Sequence, residues 1–516
     1  MSKAFIYLAC IVVTGVTSCK TSRTASSIKG NGKIDITFVQ VNDVYEIAPL
    51  EGGKAGGMAR VATLKKEQLA LNPHTFLIMA GDFVSPSVYN SLKYEGKRIR
   101  GRQMIEVMNA AGMDIAIFGN HEFDITENEL QERVNESQFQ WVSSNTFQKS
   151  ENGVLPFVKS TSTGSEPFPE TYIMTVKDED GATARIGFLA LTLPFNKANY
   201  VSYTDPLITA ETLYHRIKDS CDAVVAITHQ LIQDDSILAR RLPDLAVIIG
   251  GHEHDMRFKK VGEVYITKAH ANAKSAYIIN LTINKKKNRL KVKPQLKMID
   301  ESVAIDSSTN VVVQKWMGIG EKNYSSLGFD ATEIVLQSGK PLDGRETEIR
   351  SKPTNFSKII VAAMQQAAPD ADIVLLNAGS IRVDDIVQMP VTQYDIIRSL
   401  PFGGKIMEVD MKGSLLIKTL EAGGNNVGTG GFLHFPAGVN YNGETKTLSI
   451  KNVPLDSEKI YKVALSDFLM TGGEANMDFL TKDNQEAIKV YPLATDVTDL
   501  KSDIRLAIIK YMKNMK

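Results

Sequence analysis

The feature that most limits this chain is a pattern repeated five times: a short apolar run that stops at Asp, Asn or His. Residues 34–41 alternate as a strand and lead to Asn42-Asp43-Val44-Tyr45. Residues 75–80 lead to Gly81-Asp82, and 113–118 to Gly119-Asn120-His121-Glu122-Phe123-Asp124. Residues 222–228 stop at His229, and 245–249 at Gly250-Gly251-His252-Glu253-His254. Short apolar runs bounded by Gly and polar turns read as buried strands. Open α/β sheets keep their sites beyond the carboxyl ends of such strands. There Asn120 offers a carbonyl oxygen to a cation, and His121 a proton near neutral pH. Oxygen and imidazole ligands without thiolates suit zinc, manganese or iron. Two such ions about 3.5–4 Å apart can clamp the attacking and leaving oxygens of a phosphoryl displacement.

A chain of 516 residues exceeds one core and implies at least two domains. With 59 Lys+Arg against 59 Asp+Glu, no overall field draws it to a nucleic acid polymer. Lys285-Lys286-Lys287 reads as a solvated hairpin turn. Lys3 followed by an apolar stretch at 4–16 has the form of a targeting segment, too short for a membrane span. It ends in Val16-Thr17-Ser18-Cys19, which resembles a bacterial lipoprotein cleavage box, with Cys19 as the lipidated residue. The alternative is an ordinary secretory signal with a coincidental Cys. Residues 1–19 are therefore expected to be a lipoprotein signal peptide, and the Ser-, Thr-, Gly- and Lys-rich stretch 20–33 a flexible tether. Cleavage and lipidation account for Cys10 and Cys19, so Cys221 has no disulfide partner and reads as a small core residue.

Along the chain, Gly52-Gly53-Lys54-Ala55-Gly56-Gly57 reads as a mobile loop before a helix over 58–71, and a second helix spans 102–111. The polar stretch 149–170 reads as an excursion loop. Strands resume at 172–176 and 185–191, and a β-rich run over 264–298 closes the first domain. Alternation of strands and helices predicts a layered α/β domain over 34–300. Polar clusters around one helical pattern near 311–317 mark a linker region at 301–330. Helices at 355–368 and 412–422, with strands at 373–376 and 461–465, predict a second α/β domain over 331–516.

The ordered set Asp43, Gly81-Asp82, Gly119-Asn120-His121-Glu122, His229 and Gly251-His252-Glu253-His254 resembles the calcineurin-like metallophosphatase superfamily. Three later stretches look like the substrate domain of bacterial and animal 5′-nucleotidases. They are Asn377-Ala378-Gly379-Ser380-Ile381-Arg382, Leu400-Pro401-Phe402-Gly403-Gly404 and Phe468-Leu469-Met470-Thr471-Gly472-Gly473-Glu474. The resemblance implies an N-terminal β-sandwich flanked by helices and a C-terminal α/β substrate domain. It implies two divalent ions bridged by Asp82, one completed by Asp43 and His254, the other by Asn120, His229 and His252. A metal-bound hydroxide would be the nucleophile, with His121 assisting the leaving group and Asp124 orienting it. Phe402 and Phe468 would sandwich a base, Arg350 and Arg382 would bind phosphate, and Asn377 and Glu474 would contact base or ribose. For either Phe the alternative is plain core packing. His74, His215, His270 and His434 stand outside any motif and read as structural or surface residues.

One position departs from the family pattern. Asp-x-His becomes Asp43-Val44-Tyr45, replacing an imidazole with a phenol that is neutral until about pH 10 unless a metal deprotonates it. If Tyr45 is a ligand, its hard anionic oxygen favours mixed-valence iron. If it turns away, water fills the gap and zinc or manganese serves. The expected activity is removal of phosphate from nucleotides by an exported, membrane-anchored hydrolase facing periplasm or cell surface. The alternatives are a nucleotide-sugar or cyclic-nucleotide phosphodiesterase, and a non-catalytic nucleotide-binding surface lipoprotein. The sequence does not specify the oligomeric state.

Overall fold

A computed structural model describes residues 32–151, 153–162, 164–195, 198–442, 447–450 and 452–515. The expected signal peptide, Cys19 and nearly all of the expected tether lie outside them. The first strand, Lys33–Val41, takes in the last residue of that tether.

Two six-stranded sheets form the N-terminal part. In the first, Lys33–Val41, Thr75–Met79, Ile115–Ile117 and Gln140–Val142 run parallel, and Ser275–Asn284 and Arg289–Met298 add antiparallel at one edge. In the second, Thr183–Thr192, Ala223–His229, Val247–Gly251 and Val264–Lys268 are parallel, flanked by Thr171–Lys177 and Arg257–Val261. The facing sides are apolar. Ile36, Phe38, Ile78 and Ile117 of one sheet meet Phe188, Val225, Ile227 and Ile249 of the other in a single buried core. Helices Met58–Leu71 and Arg102–Ala110 cover the outside of the first sheet. Pro206–Ile217 and Ile232–Arg241 cover the second. Strands buried on both faces must be apolar along their length, so polar residues collect just past their ends.

The C-terminal part is built on a five-stranded mixed sheet, in the order Leu433–His434, Ile373–Asn377, Ile460–Ser466, Ile406–Lys412, Ala487–Val490. Along Ile373–Asn377 the side chains alternate between two cores, as a period of two requires. Ile373 and Leu375 join the core under helix Gly413–Asn425, and Val374 and Leu376 the one under Asn355–Ala367 and Ile504–Lys513. Helix Asn355–Ala367 begins at a reciprocal cap, Thr354 with Ser357.

A 20-residue helix, Ser307–Ser326, joins the halves, started by the Asp306 carboxylate accepting from Thr309 N–H. It is much longer than the pattern at 311–317 predicts. Trp316 is fully buried against the first-domain helices and donates Nε1–H to Glu106 at 3.0 Å. One apolar core runs without a break from Val39 through Trp316, Tyr324 and Phe329 to Phe356 and Ile360.

Two readings of the sequence are corrected. The stretch 149–170 holds short antiparallel strands, including Val158–Thr161 paired with Gly164–Pro167. Most of these side chains face solvent, so no hydrophobic alternation marks them. The glycine loop is tied down. Backbone bonds join Leu50 and Ala55, and the Arg60 guanidinium donates to the Gly53 and Gly56 carbonyls.

Candidate active site

Ligand atoms of Asp43, Asp82 and His229 lie within 4.8 Å of one another, all three residues buried. Asp43 follows the strand Lys33–Val41, Asp82 follows Thr75–Met79, and His229 ends Ala223–His229. The cluster therefore draws on both sheets at their carboxyl ends. Asp43 and Asp82 adopt left-handed backbone, φ +53° and +56°, and His252 does so at +88°. Such conformations cost about 1–3 kcal/mol each in residues other than Gly and persist only when their surroundings enforce them.

The enforcing contacts are specific. Asn42 donates to the Asp43 carboxylate at 2.7 Å, and the His252 N–H donates to it at 3.0 Å. Glu122 accepts four backbone N–H groups, from Asp82, Phe83, Val84 and Gly119, at 3.0, 2.7, 3.1 and 2.6 Å. It clamps the Asp82 turn to the Gly119 turn. Burial first, and then the Asp82 charge, push its carboxyl up to about 7. Two glycines permit the approach. A Cβ on Gly119 would sit 2.1 Å from Asp82 Oδ1, and one on Gly251 would sit 2.3 Å from the Ala80 carbonyl.

His229 donates Nδ1–H to the Ala80 carbonyl at 2.8 Å, which turns Nε2 toward Asp82 Oδ2 at 3.0 Å. That Nε2 and the buried Asn120 Oδ1 make no hydrogen bond of ordinary geometry. An imidazole nitrogen and an amide oxygen without such partners, beside two buried carboxylates, are a ligand set that fits a divalent cation, which would displace the proton that His229 otherwise carries. The His252 ring lies 5.4 Å from that of His229. Burial and the neighbouring His229 charge lower His252 to about 3, so it presents a neutral imidazole. Burial opposes ionisation of Asp82, but His229 and His121 outweigh it and hold its carboxyl well below the usual range. His229 itself rises to about 9, because Asp82 and Asp43 overcome its burial.

Tyr45 does not turn away. Its hydroxyl donates to Asp82 Oδ2 at 3.2 Å and lies 3.0 Å from His254 Nε2. His254 Nε2 in turn is 3.6 Å from Asp43 Oδ1. Burial, then the charges of Asp82 and Asp43, raise the phenol well above its ordinary value.

Beside the cluster, the His121 N–H donates to Asp82 Oδ1 at 2.8 Å, and its Nδ1 meets Asp124 Oδ2 at 2.7 Å. Burial works against a charged His121, yet Asp82 and Asp124 raise its pKa overall. From the C-terminal half, Arg382 Nη2 stands 3.8 Å from Asp124 Oδ2, and the same guanidinium lies 5.8 Å from the Phe402 ring centroid. Phe402 and Phe468 are 64% and 44% exposed, which removes core packing as the account of either ring. Asn377 donates to Glu474 at 2.8 Å and accepts from Ser380 at 2.7 Å. Arg350 pairs with Glu346 at 2.5 Å.

Asn42, Glu122, Glu253, Lys268 and Asp384 contribute to the site, and none had a role assigned from sequence. Fully buried, Lys268 donates to the Gln230 carbonyl, the Gly251 carbonyl and Glu253, and pairs with Asp235 at 2.9 Å. It thereby joins the backbone after His229 to the backbone before His252.

The calcineurin-like phosphoesterase profile matches residues 36–256, and the 5′-nucleotidase C-terminal domain profile matches 334–482. The class is thus a metal-dependent phosphoric ester hydrolase with two α/β domains. The chain belongs to the 5′-nucleotidase family of the calcineurin-like metallophosphatases. It is 24% identical over 502 residues to the 5′-nucleotidase of Bos taurus, covering 85% of this chain and 83% of that one. Among solved structures, the 5′-nucleotidase precursor of Thermus thermophilus superposes with a TM-score of 0.66 at 21% identity. That match covers 93% of this chain and 96% of the other. The sulfate thiohydrolase SoxB of Thermus thermophilus shares the fold at a TM-score of 0.61 and 14% identity, over 93% of this chain and 94% of that one. Among the described residues, no helix is long and apolar enough to cross a membrane.

Proposed function

We propose that the chain removes the phosphate of nucleotides at a two-cation centre, its residues 34–300 supplying the cations' ligands and 331–516 the nucleotide's contacts. Asp43, Tyr45, Asp82 and His254 would hold one ion, and Asp82, Asn120, His229 and His252 the other. Once bound, the ions supply Lewis-acid charge to the phosphoryl oxygens and lower the pKa of water. Arg350 and Arg382 orient the phosphate, Arg by virtue of its planar fork of donors. Phe402 and Phe468 stack the base, and Asn377 and Glu474 meet base or ribose. His121 gives its proton to the leaving oxygen. Asp124, on Nδ1, fixes the ring and leaves Nε2 to face the substrate.

The observation that carries this reading is the His121–Asp124 pair at 2.7 Å, beside the metal-type cluster on one side and Arg382 on the other. The test is phosphate release from nucleoside mono- and diphosphates, a cyclic nucleotide and a nucleotide sugar, with manganese, zinc or iron added. Metal-dependent release from nucleoside monophosphates, stopped by a chelator, is expected. Cleavage of only the cyclic nucleotide or nucleotide sugar would move the substrate class, and no cleavage would refute the reading. The Tyr45 hydroxyl lies inside the cluster, where its raised pKa leaves deprotonation to a bound cation, so iron-loaded protein should show a visible band that Tyr45→Phe removes if the phenol ligates. Export and a lipid on Cys19 complete the proposal. Cys19→Ser should shift the protein out of the membrane fraction.

A further inference from the structure

Residues 382–385 make three charged contacts with the N-terminal domain. Arg382 approaches Asp124, Asp384 meets His254, and Asp385 pairs with Lys274. The middle contact differs in kind from the others. His254 Nδ1 lies 2.8 Å from Asp384 Oδ2 and 3.3 Å from the Asp384 backbone carbonyl, and the other nitrogen of that ring faces the cluster, 3.0 Å from the Tyr45 hydroxyl and 3.6 Å from Asp43 Oδ1. A continuous line of polar contacts thus runs Asp384–His254–Tyr45–Asp82, from the C-terminal domain into the buried carboxylates.

Asp384 is held for this contact. Its other carboxylate oxygen accepts the Glu346 N–H, and its backbone sits at φ +37°, a conformation most side chains avoid. An ion pair that merely fastened two domains would need no imidazole. Lys274, bridging Asp385 and Glu51, already does that one residue away. A carboxylate on one ring nitrogen fixes the tautomer and aims the other nitrogen, the arrangement that supports metal-bound histidines.

We propose that Asp384 is a positioning residue that aims His254 Nε2 at the cation held by Asp43 and Tyr45, so that a side chain of the C-terminal domain sets the affinity of that one site. The inference rests on the two-cation reading above. It makes the nucleotide-side domain a contributor to the metal centre through that one side chain.

The test is competition of the full chain with a chromogenic chelator for zinc, without nucleotide. Wild type should hold two ions. Asp384→Ala should weaken one by about 10–100-fold, the usual effect of losing a carboxylate behind a ligating His, and leave the other within about threefold. Asp384→Glu, which keeps the carboxylate, should recover part of the loss and guards against a folding defect in the alanine variant. Asp385→Asn, which cuts a docking contact that touches no ligand, should hold both ions as wild type does. Turnover of Asp384→Ala should fall at limiting zinc and recover in excess zinc, with the KM for nucleotide unchanged. Two ions held at wild-type affinity in Asp384→Ala would overturn the inference, and so would an equal loss in Asp385→Asn. Wild type that holds two ions yet hydrolyses no nucleotide refutes the proposed function alone, and wild type that holds fewer than two refutes both.

Discussion

Replacing Lys268 with Met should destabilise the protein and disturb the cation site together. The two side chains are close in length, so the substitution leaves little cavity and chiefly removes a charge. What remains is Asp235, fully buried with its Oδ2 deprived of the ammonium at 2.9 Å, and the Gly251 carbonyl deprived of its donor at 2.8 Å. Breaking one partner out of a buried ion pair costs about 3–5 kcal/mol, because the other charge stays behind. Asp235 already has its carboxyl raised by burial, against the pull of Lys268, so without that cation it will take up a proton and soften the loss. A net cost of about 3 kcal/mol is expected by urea unfolding. Adding Asp235→Asn, which keeps an acceptor for Gln230 without the charge, should restore about 0.5–3 kcal/mol. Since Lys268 joins the turns behind His229 and His252, zinc affinity should fall in the single variant as well. Wild-type stability in Lys268→Met, or strict additivity in the double variant, would refute the argument.

Asp82→Ala should abolish hydrolysis, whereas His121→Ala should lower kcat by about 10²–10⁴ with KM largely kept, as steady-state kinetics will show. Phe402→Ala should raise the KM for adenosine monophosphate by the equivalent of about 1–3 kcal/mol of stacking and leave p-nitrophenyl phosphate nearly unaffected. His434 is buried, neither ring nitrogen has a hydrogen bond of ordinary geometry among the described residues, and burial lowers its pKa to about 4. Below its unfolded value of about 6.5 the unfolded chain binds a proton that the folded chain refuses. Its contribution to stability is therefore whole above pH 6.5 and falls by about 1.4 kcal/mol per unit down to about pH 4. Denaturation curves of His434→Phe should be flatter over that window by this amount.

The sequence revealed the site because of how parallel sheets are built. Thr75–Met79, Ile115–Ile117 and Val247–Gly251 are almost wholly apolar or glycine, so Asp82, Asn120 and His252 stand out as the first polar residues after them, whereas Lys33–Val41 alternates and only its end at Asn42-Asp43 fits the pattern. The helix Met58–Leu71 was legible from Met58, Val61, Ala62 and Leu64, all buried, although Leu69 of the same pattern faces solvent. What stayed hidden was long-range or solvated. Asp384 meets His254 across 130 positions of chain, and nothing near either residue marks the pair. Lys268 is a charge at the end of an apolar strand, where local pattern reads it as a surface residue. The hairpins at 149–170 lack a buried face, and without one a strand leaves no period to detect. The turn at Lys285-Lys286-Lys287 was legible from charge, though Lys285 also reaches the Thr183 carbonyl and Asp222.

The apolar core that passes through Trp316 has a practical meaning for anyone dividing this molecule. Trp316 belongs to the joining helix but is seated against the N-terminal helices, and its indole N–H satisfies Glu106 there. A chain ended near residue 300 would keep that seat and lose its occupant. The ring of Tyr94, packed edge-on against Trp316 with centroids 5.3 Å apart, would face water, and so would the wall of the core that the joining helix covers, an open greasy surface of the kind that draws molecules into aggregates. The stretch between the two domains is therefore part of the first domain's own wall, and a soluble excised phosphatase half should keep residues through Ser326.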